Sequence, residues 1–503
     1  MSGDRKQPAE KRHRGDNDNE STDPAVSIHP WYLTSSFTVP FCRAFTDSAL
    51  STAYTSSSPD GQQEGSILAH PFHTGKLRNI FPPAFLASLK TELTSLTWHE
   101  RSNDLYTFHQ TDDLALNAQP HIKALRDFMA GEQFSLTGTQ LTRGYLDIAA
   151  QRYKQGNHLL CHDDDVHRGK LARRIAYIIY LVDEEWSSAD GGALGLFGND
   201  ASGQPTEEVV ARLTPEFNSL GFFLTGLVSY HTVEEITVKD PERERWSVTG
   251  WFYGPVDTES DESLAHLPLS PSLLPAMEAF IDKTPVDDDS VEWAKWVNSE
   301  YLSQKTQDQI QDSFLNQSSV ELRQFLVPAV FDQIATDLGH VTDLALLGPP
   351  HLRRYLQATV PADTTLYALM EFLRSSSFAR LLTALTTIDV TGVSQQLRRF
   401  ERGHYTLIHD QVPEPFGLDV SLSLQPKGQP EWDDSWGGAT HYIADKDELL
   451  RITPESNSLS LVLRDEGTLR FVKFLNHMAP VSRQEVAMVF TMAPPESDDE
   501  NEE

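Results

Sequence analysis

At 503 residues the chain exceeds what one compact core holds, and 39% hydrophobic residues, with 25 Phe and 9 Trp, suffice for more than one interior. A formal charge of -32 disfavours binding to a phosphate backbone, and a mean hydropathy of -0.40 without a long apolar run argues against a membrane span. Two cysteines, Cys42 and Cys161, exclude a disulfide framework and a thiolate-rich zinc site.

The N-terminus has no apolar core between its charges and does not read as a secretory signal. Its basic run Lys11-Arg12-His13-Arg14 suits nuclear import as well as plain solvated chain, so a nuclear and/or cytoplasmic location is expected. Residues 1–64, rich in Ser, Thr, Asp and Pro, predict a disordered arm. Helical spacing follows in FPPAFLASLKTELTSL and HIKALRDFMAG. A strand-rich block then runs from Gly144 to Gly254, where IAYIIYLV, LGFFLTGLV and WSVTGWFYG are β-branched and aromatic. From Pro268 to Thr387 the pattern is mainly helical, as in ELRQFLVPAVFDQIATDL and LYALMEFLRSSSFARLLTAL, with a break at Gly348-Pro349-Pro350. Strand signals then return, and Glu496 to Glu503 forms an acidic tail.

Those later strands repeat the earlier block. RYKQGNHLLCHDD, from Arg152, aligns without gaps on RFERGHYTLIHDQ, from Arg399. Gly191-Gly192-Ala193 matches Gly437-Gly438-Ala439, RLTPEFNSL at Arg212 matches RITPESNSL at Arg451, and RWSVTGWF at Arg245 is echoed by RQEVAMVF at Arg483. Four segments in one order imply two copies of one strand-rich domain.

The first copy carries the chemistry. A metal that must bind both a keto acid and dioxygen needs three protein ligands on one face, which two His and one carboxylate provide. Residues two apart in an extended strand point the same way, so His162 and Asp164 can share a metal while Asp163 turns aside. His231, after a later strand, supplies the third ligand. An H-x-D triplet alone is a weak signal; its place among strands, with Arg245 opening the next one, makes the combination moderately specific. A guanidinium pairs in bidentate fashion with a carboxylate, which suits Arg245 to the distal end of 2-oxoglutarate, with Arg243 as its rival in DPERERW. Tyr180 and Tyr153 could add hydroxyls there or be core aromatics.

SNDLYTFHQTDDL at Ser102, LLCHDD at Leu159, RRIAYIIYLV at Arg173, GGALGLF at Gly191, NSLGFF at Asn218 and GPPHLRRY at Gly348 resemble the prolyl hydroxylases that act on the small-subunit ribosomal protein of the decoding centre, fungal members included. The likeness spans Leu68 to Ala493. It implies iron(II) on His162, Asp164 and His231, and 2-oxoglutarate on Arg245 with Tyr153 and Tyr180. Dioxygen is the co-reactant and ascorbate the expected reductant. The implied product is a prolyl residue hydroxylated at C3 in a basic ribosomal protein, a partner compatible with the acidic charge. The implied fold is α+β, two tandem double-stranded β-helix (jelly-roll) domains with flanking helices and disordered acidic or polar ends. Its parts are the arm 1–64, a catalytic domain 65–256, linker and helices 257–320, a second domain 321–495 and the tail 496–503.

The second domain is expected to be non-catalytic. Gln411 stands against Asp164 and Phe400 against Tyr153; His409 remains opposite His162, Arg470 falls at the spacing of His231, and His477 would require an insertion. A metal-free second domain motivates another reading, an oxygen-responsive scaffold that binds a transcription or translation regulator. Zinc hydrolysis at the same triad is a third, in which Arg245 and the tyrosines would lack a task.

Overall fold

The computed structural model describes residues 26, 28–131, 141–142, 145–256, 279–280, 289–408, 417–445 and 447–492. The basic run and the acidic tail lie outside them. Residues 28–64, expected to be disordered, are not: a short 3-10 turn at Pro30–Leu33 leads into helix α1, Ser35–Thr46, followed by strands β1, Tyr54–Ser57, and β2, Glu64–Leu68. Polar residues hid a helical signal, because Phe37, Phe41 and Phe45 recur every four positions and are all fully buried. Each such ring contributes about 1.5–3 kcal/mol on burial, enough to outweigh a Ser/Thr-rich composition. Gly65 admits this helix closely, since a Cβ there would meet the Phe37 ring at 2.5 Å.

The strands β3, Thr74–Arg78, β6, Leu146–Tyr153, β9, Leu171–Tyr180, β12, Ser219–Leu224, and β14, Arg245–Pro255, form an antiparallel layer in the order β3-β12-β9-β14-β6. Helices α2, Pro83–Thr94, and α3, Pro120–Ala130, cover one face with α1; Leu89, Leu125, Ile179, Phe222 and Val248 share that core. Both helices fall where the spacing predicts, each with Pro in its first turn, where the missing N–H goes unneeded. Beyond β6, strands β4, Trp98–Ser102, and β5, Tyr106–Thr111, lead to β7, His158–His162, β13, His231–Val233, β10, Leu194–Asn199, and β11, Pro205–Leu213. A two-residue strand β8, His167–Arg168, pairs with β9. The site lies between the β9/β14 layer and β7/β13.

The second half repeats this pairing. Its large sheet runs β15, Ser319–Arg323, β23, Ser456–Arg464, β20, Gly417–Leu424, β25, Arg483–Met492, and β18, Val390–Phe400, and then β17, Arg353–Ala358, and β16, Leu344–Leu347. Strand β19, Tyr405–Thr406, pairs with β17, and β22, Asp447–Ile452, β21, Thr440–Ala444, and β24, Leu469–Val472, make a smaller sheet. Equivalent residues meet in equivalent register: Arg245 faces Tyr153 as Arg483 faces Phe400. Ser319–Arg323 is a strand within the segment read as helical, because its alternation matches the edge of β23; the helix begins at Pro328. The boundary at 321 also moves: Val297, Ile310 and Phe314, from the segment read as linker, belong to the second core, so this unit starts at 289 or earlier. The fold is α+β with large antiparallel sheets, and no described helix is long and apolar enough to cross a membrane.

Candidate metal centre

Strand β7 delivers His162 and β13 delivers His231 directly opposite it in register. Their Nε2 atoms lie 3.5 and 3.3 Å from Asp164 Oδ1 and Oδ2, and the three ligand atoms fall within 4.8 Å of one another. Each imidazole directs Nδ1 to a backbone carbonyl, Leu160 at 2.8 Å and Ser229 at 2.7 Å. That bond fixes the tautomer and leaves Nε2 with a free lone pair, the arrangement a metal requires. Two His and one carboxylate with room around them match a ferrous site.

Asp164 does not arrive by strand alternation. Strand β7 stops at His162, and Asp164 takes a left-handed backbone with φ +64, which rotates its carboxylate back toward the imidazoles. Aspartate tolerates that region better than most residues. Its Oδ2 also accepts a hydrogen bond from Trp251 Nε1 at 2.9 Å, and Arg173, stacked on the Trp251 ring at 3.6 Å, lies 3.5 Å from Oδ1. Burial alone would raise the Asp164 carboxyl, and the two histidines outweigh it, holding it well below the usual range. Burial would lower the His162 imidazole, and Asp164 outweighs that in turn, so its pKa is raised. A divalent cation would replace these mutual charges.

The same cavity, about 370 Å³, reaches Arg245, Tyr153, Gln151 and Ser247. Arg245 is only 1% exposed. Its Nε donates to the Gly192 carbonyl at 2.9 Å and Nη1 to Ser247 Oγ at 3.4 Å, whereas Nη2 has no partner. Gly192, at φ +70, must be glycine, because a Cβ would stand 2.7 Å from Arg245 Cδ. Arg243, the rival, is committed at the surface to Asp183 and Asp190 at 2.9 and 2.8 Å. Tyr153 lines the cavity and donates to Gln151 Oε1 at 3.2 Å. Tyr180 sits 5.0 Å from the Arg245 guanidinium, packed behind it, and its buried hydroxyl has no hydrogen-bond partner. Burial raises the Tyr180 hydroxyl, with Arg245 opposing. An unpartnered arginine nitrogen in a cavity shared with the triad fits a ligand carboxylate.

The second half fills these places differently. Arg470 pairs with Tyr442 as His231 does with Leu196, so a guanidinium occupies the position of the second imidazole, where it contacts Asp419 at 2.9 Å. His477 turns to the first domain and meets Glu235 at 2.6 Å. His409 and Gln411 lie outside the described residues.

Residues 148–253 match the family model of the 2OG-Fe(II) oxygenase superfamily, and 288–500 match that described as oxoglutarate and iron-dependent oxygenase degradation C-term. Prolyl 3-hydroxylase OGFOD1 of Xenopus laevis is 35% identical over 83% of this chain and 86% of its own. The chain belongs to the OGFOD1 prolyl 3-hydroxylase family. The mouse protein of that name is 33% identical over 78% of this chain and 82% of its own. Prolyl 3,4-dihydroxylase OGFOD1 of Ostreococcus tauri is 28% identical over 83% of this chain and 94% of its own. The family implies iron(II) and 2-oxoglutarate, and the geometry above accommodates both. Sequence reasoning missed Trp251 and Arg173, although both lie in the quoted segments at Arg245 and Arg173; only the fold shows them converging on Asp164.

Proposed function

We propose that this oxygenase hydroxylates C3 of a prolyl residue in a basic ribosomal protein, with iron(II) on His162, Asp164 and His231 and 2-oxoglutarate on Arg245. The observation that carries the reading is a buried, incompletely bonded guanidinium in the same cavity as the triad. Iron(II), when bound, supplies the oxidation: one oxygen atom of dioxygen converts a substrate C–H to C–OH, and the other ends in succinate as 2-oxoglutarate loses carbon dioxide.

The residues of the chain do the positioning. Arg245 binds the distal carboxylate in a low-dielectric setting where a charge-assisted bond is strong, with the Ser247 hydroxyl as a further donor. Leu160 and Ser229 carbonyls hold the imidazoles, and Trp251 holds Asp164 against rotation. Phe108, Leu159, Val233 and Phe223 wall the cavity and limit water. Ascorbate would be the reductant that keeps a bound iron ferrous. Both halves are read as double-stranded β-helices, which their matched strand orders support. A net charge of -32 suits a basic partner.

The test is fragment mass analysis of ribosomal proteins from cells with and without the gene. One added oxygen atom on a single proline, missing also when His162→Ala replaces the wild type, is expected; unmodified prolines in all three samples would sink the proposal. The second half, with Arg470 where a ligand would stand, favours an added scaffold role for a regulatory protein, which a phenotype surviving His162→Ala would reveal.

A further inference from the structure

The second domain meets the first along the strands that carry the site. His158 of β7 stacks on Phe474 with ring centroids 4.1 Å apart, and Leu160 of that strand is buried with Tyr405, Leu407 and Phe474. The turn between β4 and β5 is held by polar bonds. Lys473, just past β24, donates from Nζ to Ser102 Oγ at 3.0 Å, to the Asn103 carbonyl and to the Tyr106 carbonyl at 3.4 Å. Asp104 accepts from the Ile408 backbone at 2.9 Å. Burial pulls the Lys473 ammonium down to about 8, against the attraction of Asp104. A cation withdrawn from water is costly unless its protons find acceptors, and here all of those acceptors lie on one turn of the other domain.

That turn leads into the cavity. Leu105 and Tyr106 line it, and Asn103 Oδ1 accepts from their N–H groups at 3.0 and 2.9 Å. From Tyr106 a column of rings runs inward: Tyr106 to Phe108 at 4.9 Å, Phe108 to Tyr153 at 5.0 Å, and Tyr153 to the Arg245 guanidinium at 5.2 Å. We infer that Lys473 of the second domain is a positioning residue for the cosubstrate: by fixing the 102–106 turn it sets the ring column against which the Arg245 site is built. The second domain is then a working part of the oxygenase cavity. This rests on the reading that Arg245 holds 2-oxoglutarate.

Titration of the full chain, loaded with iron(II) under argon, with 2-oxoglutarate reads the effect without turnover through the charge-transfer absorbance of the complex. Lys473→Met is expected to weaken 2-oxoglutarate binding about fivefold, the loss of one hydrogen-bonded restraint, while iron(II) affinity is unchanged. Lys473→Gln, whose amide still donates, recovers most of it. Asn103→Ala loosens the same turn from the first domain and gives the same loss, which keeps the test open if the lysine variant does not fold. Wild-type 2-oxoglutarate affinity in Lys473→Met, or in Asn103→Ala where that substitutes for it, overturns the inference. Failure of the underlying reading looks different: Arg245→Met would then bind 2-oxoglutarate as the wild type does.

Discussion

Strands β6 and β14 in the first half and β18 and β25 in the second are paired in one register, and what separates them is how each treats its buried arginine. Arg245 has Ser247 two residues on and a nitrogen without a partner. Arg483 has Glu485 there, at 2.6 Å, and Arg398, in the place of Gln151, reaches the same carboxylate at 2.5 Å. Ser421 adds a hydrogen bond of 2.6 Å. A guanidinium buried between sheets needs an anion; the second half supplies one from its own chain, and the first leaves the place for a ligand. Phe400, in the place of Tyr153, removes a hydroxyl from the same wall.

This contrast can be broken most severely at the metal. His231→Ala is expected to abolish succinate formation and iron(II) binding together, measured by turnover and by metal content after gel filtration. Next in size, Glu485→Ala strands the buried Arg483 and the half-buried Arg398 and is expected to cost the second domain about 3–5 kcal/mol in urea unfolding. Burial would raise the Glu485 carboxyl, but Arg483 and Arg398 hold it well below its ordinary value. The folded value is thus the lower one. Its contribution is full above the unfolded value of about 4.3 and is lost only as pH falls toward the folded one, a loss Glu485→Ala should not show.

The reciprocal transplant, Ser247→Glu, gives Arg245 an internal partner and should weaken 2-oxoglutarate roughly 100-fold, equivalent to about 3 kcal/mol, in a titration under argon. Trp251→Phe removes the donor to Asp164 and is expected to lower iron(II) affinity by about tenfold, the usual effect of a lost supporting bond. Smallest is Arg243→Ala, with at most about 1 kcal/mol in stability and an unaltered KM for 2-oxoglutarate; a raised KM would return the anchor to Arg243.

Much of this contrast is legible in the sequence. The gap-free match of Arg152 to Arg399 and the echo of Arg245 in Arg483 already place Glu485 on Ser247. The convergence of His162, Asp164, His231 and Arg245 on one cavity follows from specific side-chain chemistry and chain order, although the strand alternation expected for Asp164 does not hold. Hidden features depended on long-range contact or backbone form. Trp251 looks like any strand aromatic until Asp164 turns toward it, and Lys473 and His477 acquire partners only when two domains meet. The α1 helix was masked by its polar neighbours, although the four-residue spacing of its phenylalanines was there to be read.

The left-handed φ of Asp164 has a consequence for how this enzyme can change. Backbone comfort and metal binding pull in opposite directions at that position. Glycine would relax the chain but delete the ligand, whereas glutamate would keep a carboxylate in a conformation it tolerates poorly. A substitution chosen for backbone stability alone would therefore remove the ligand: Asp164→Gly should hold or gain stability while losing iron(II).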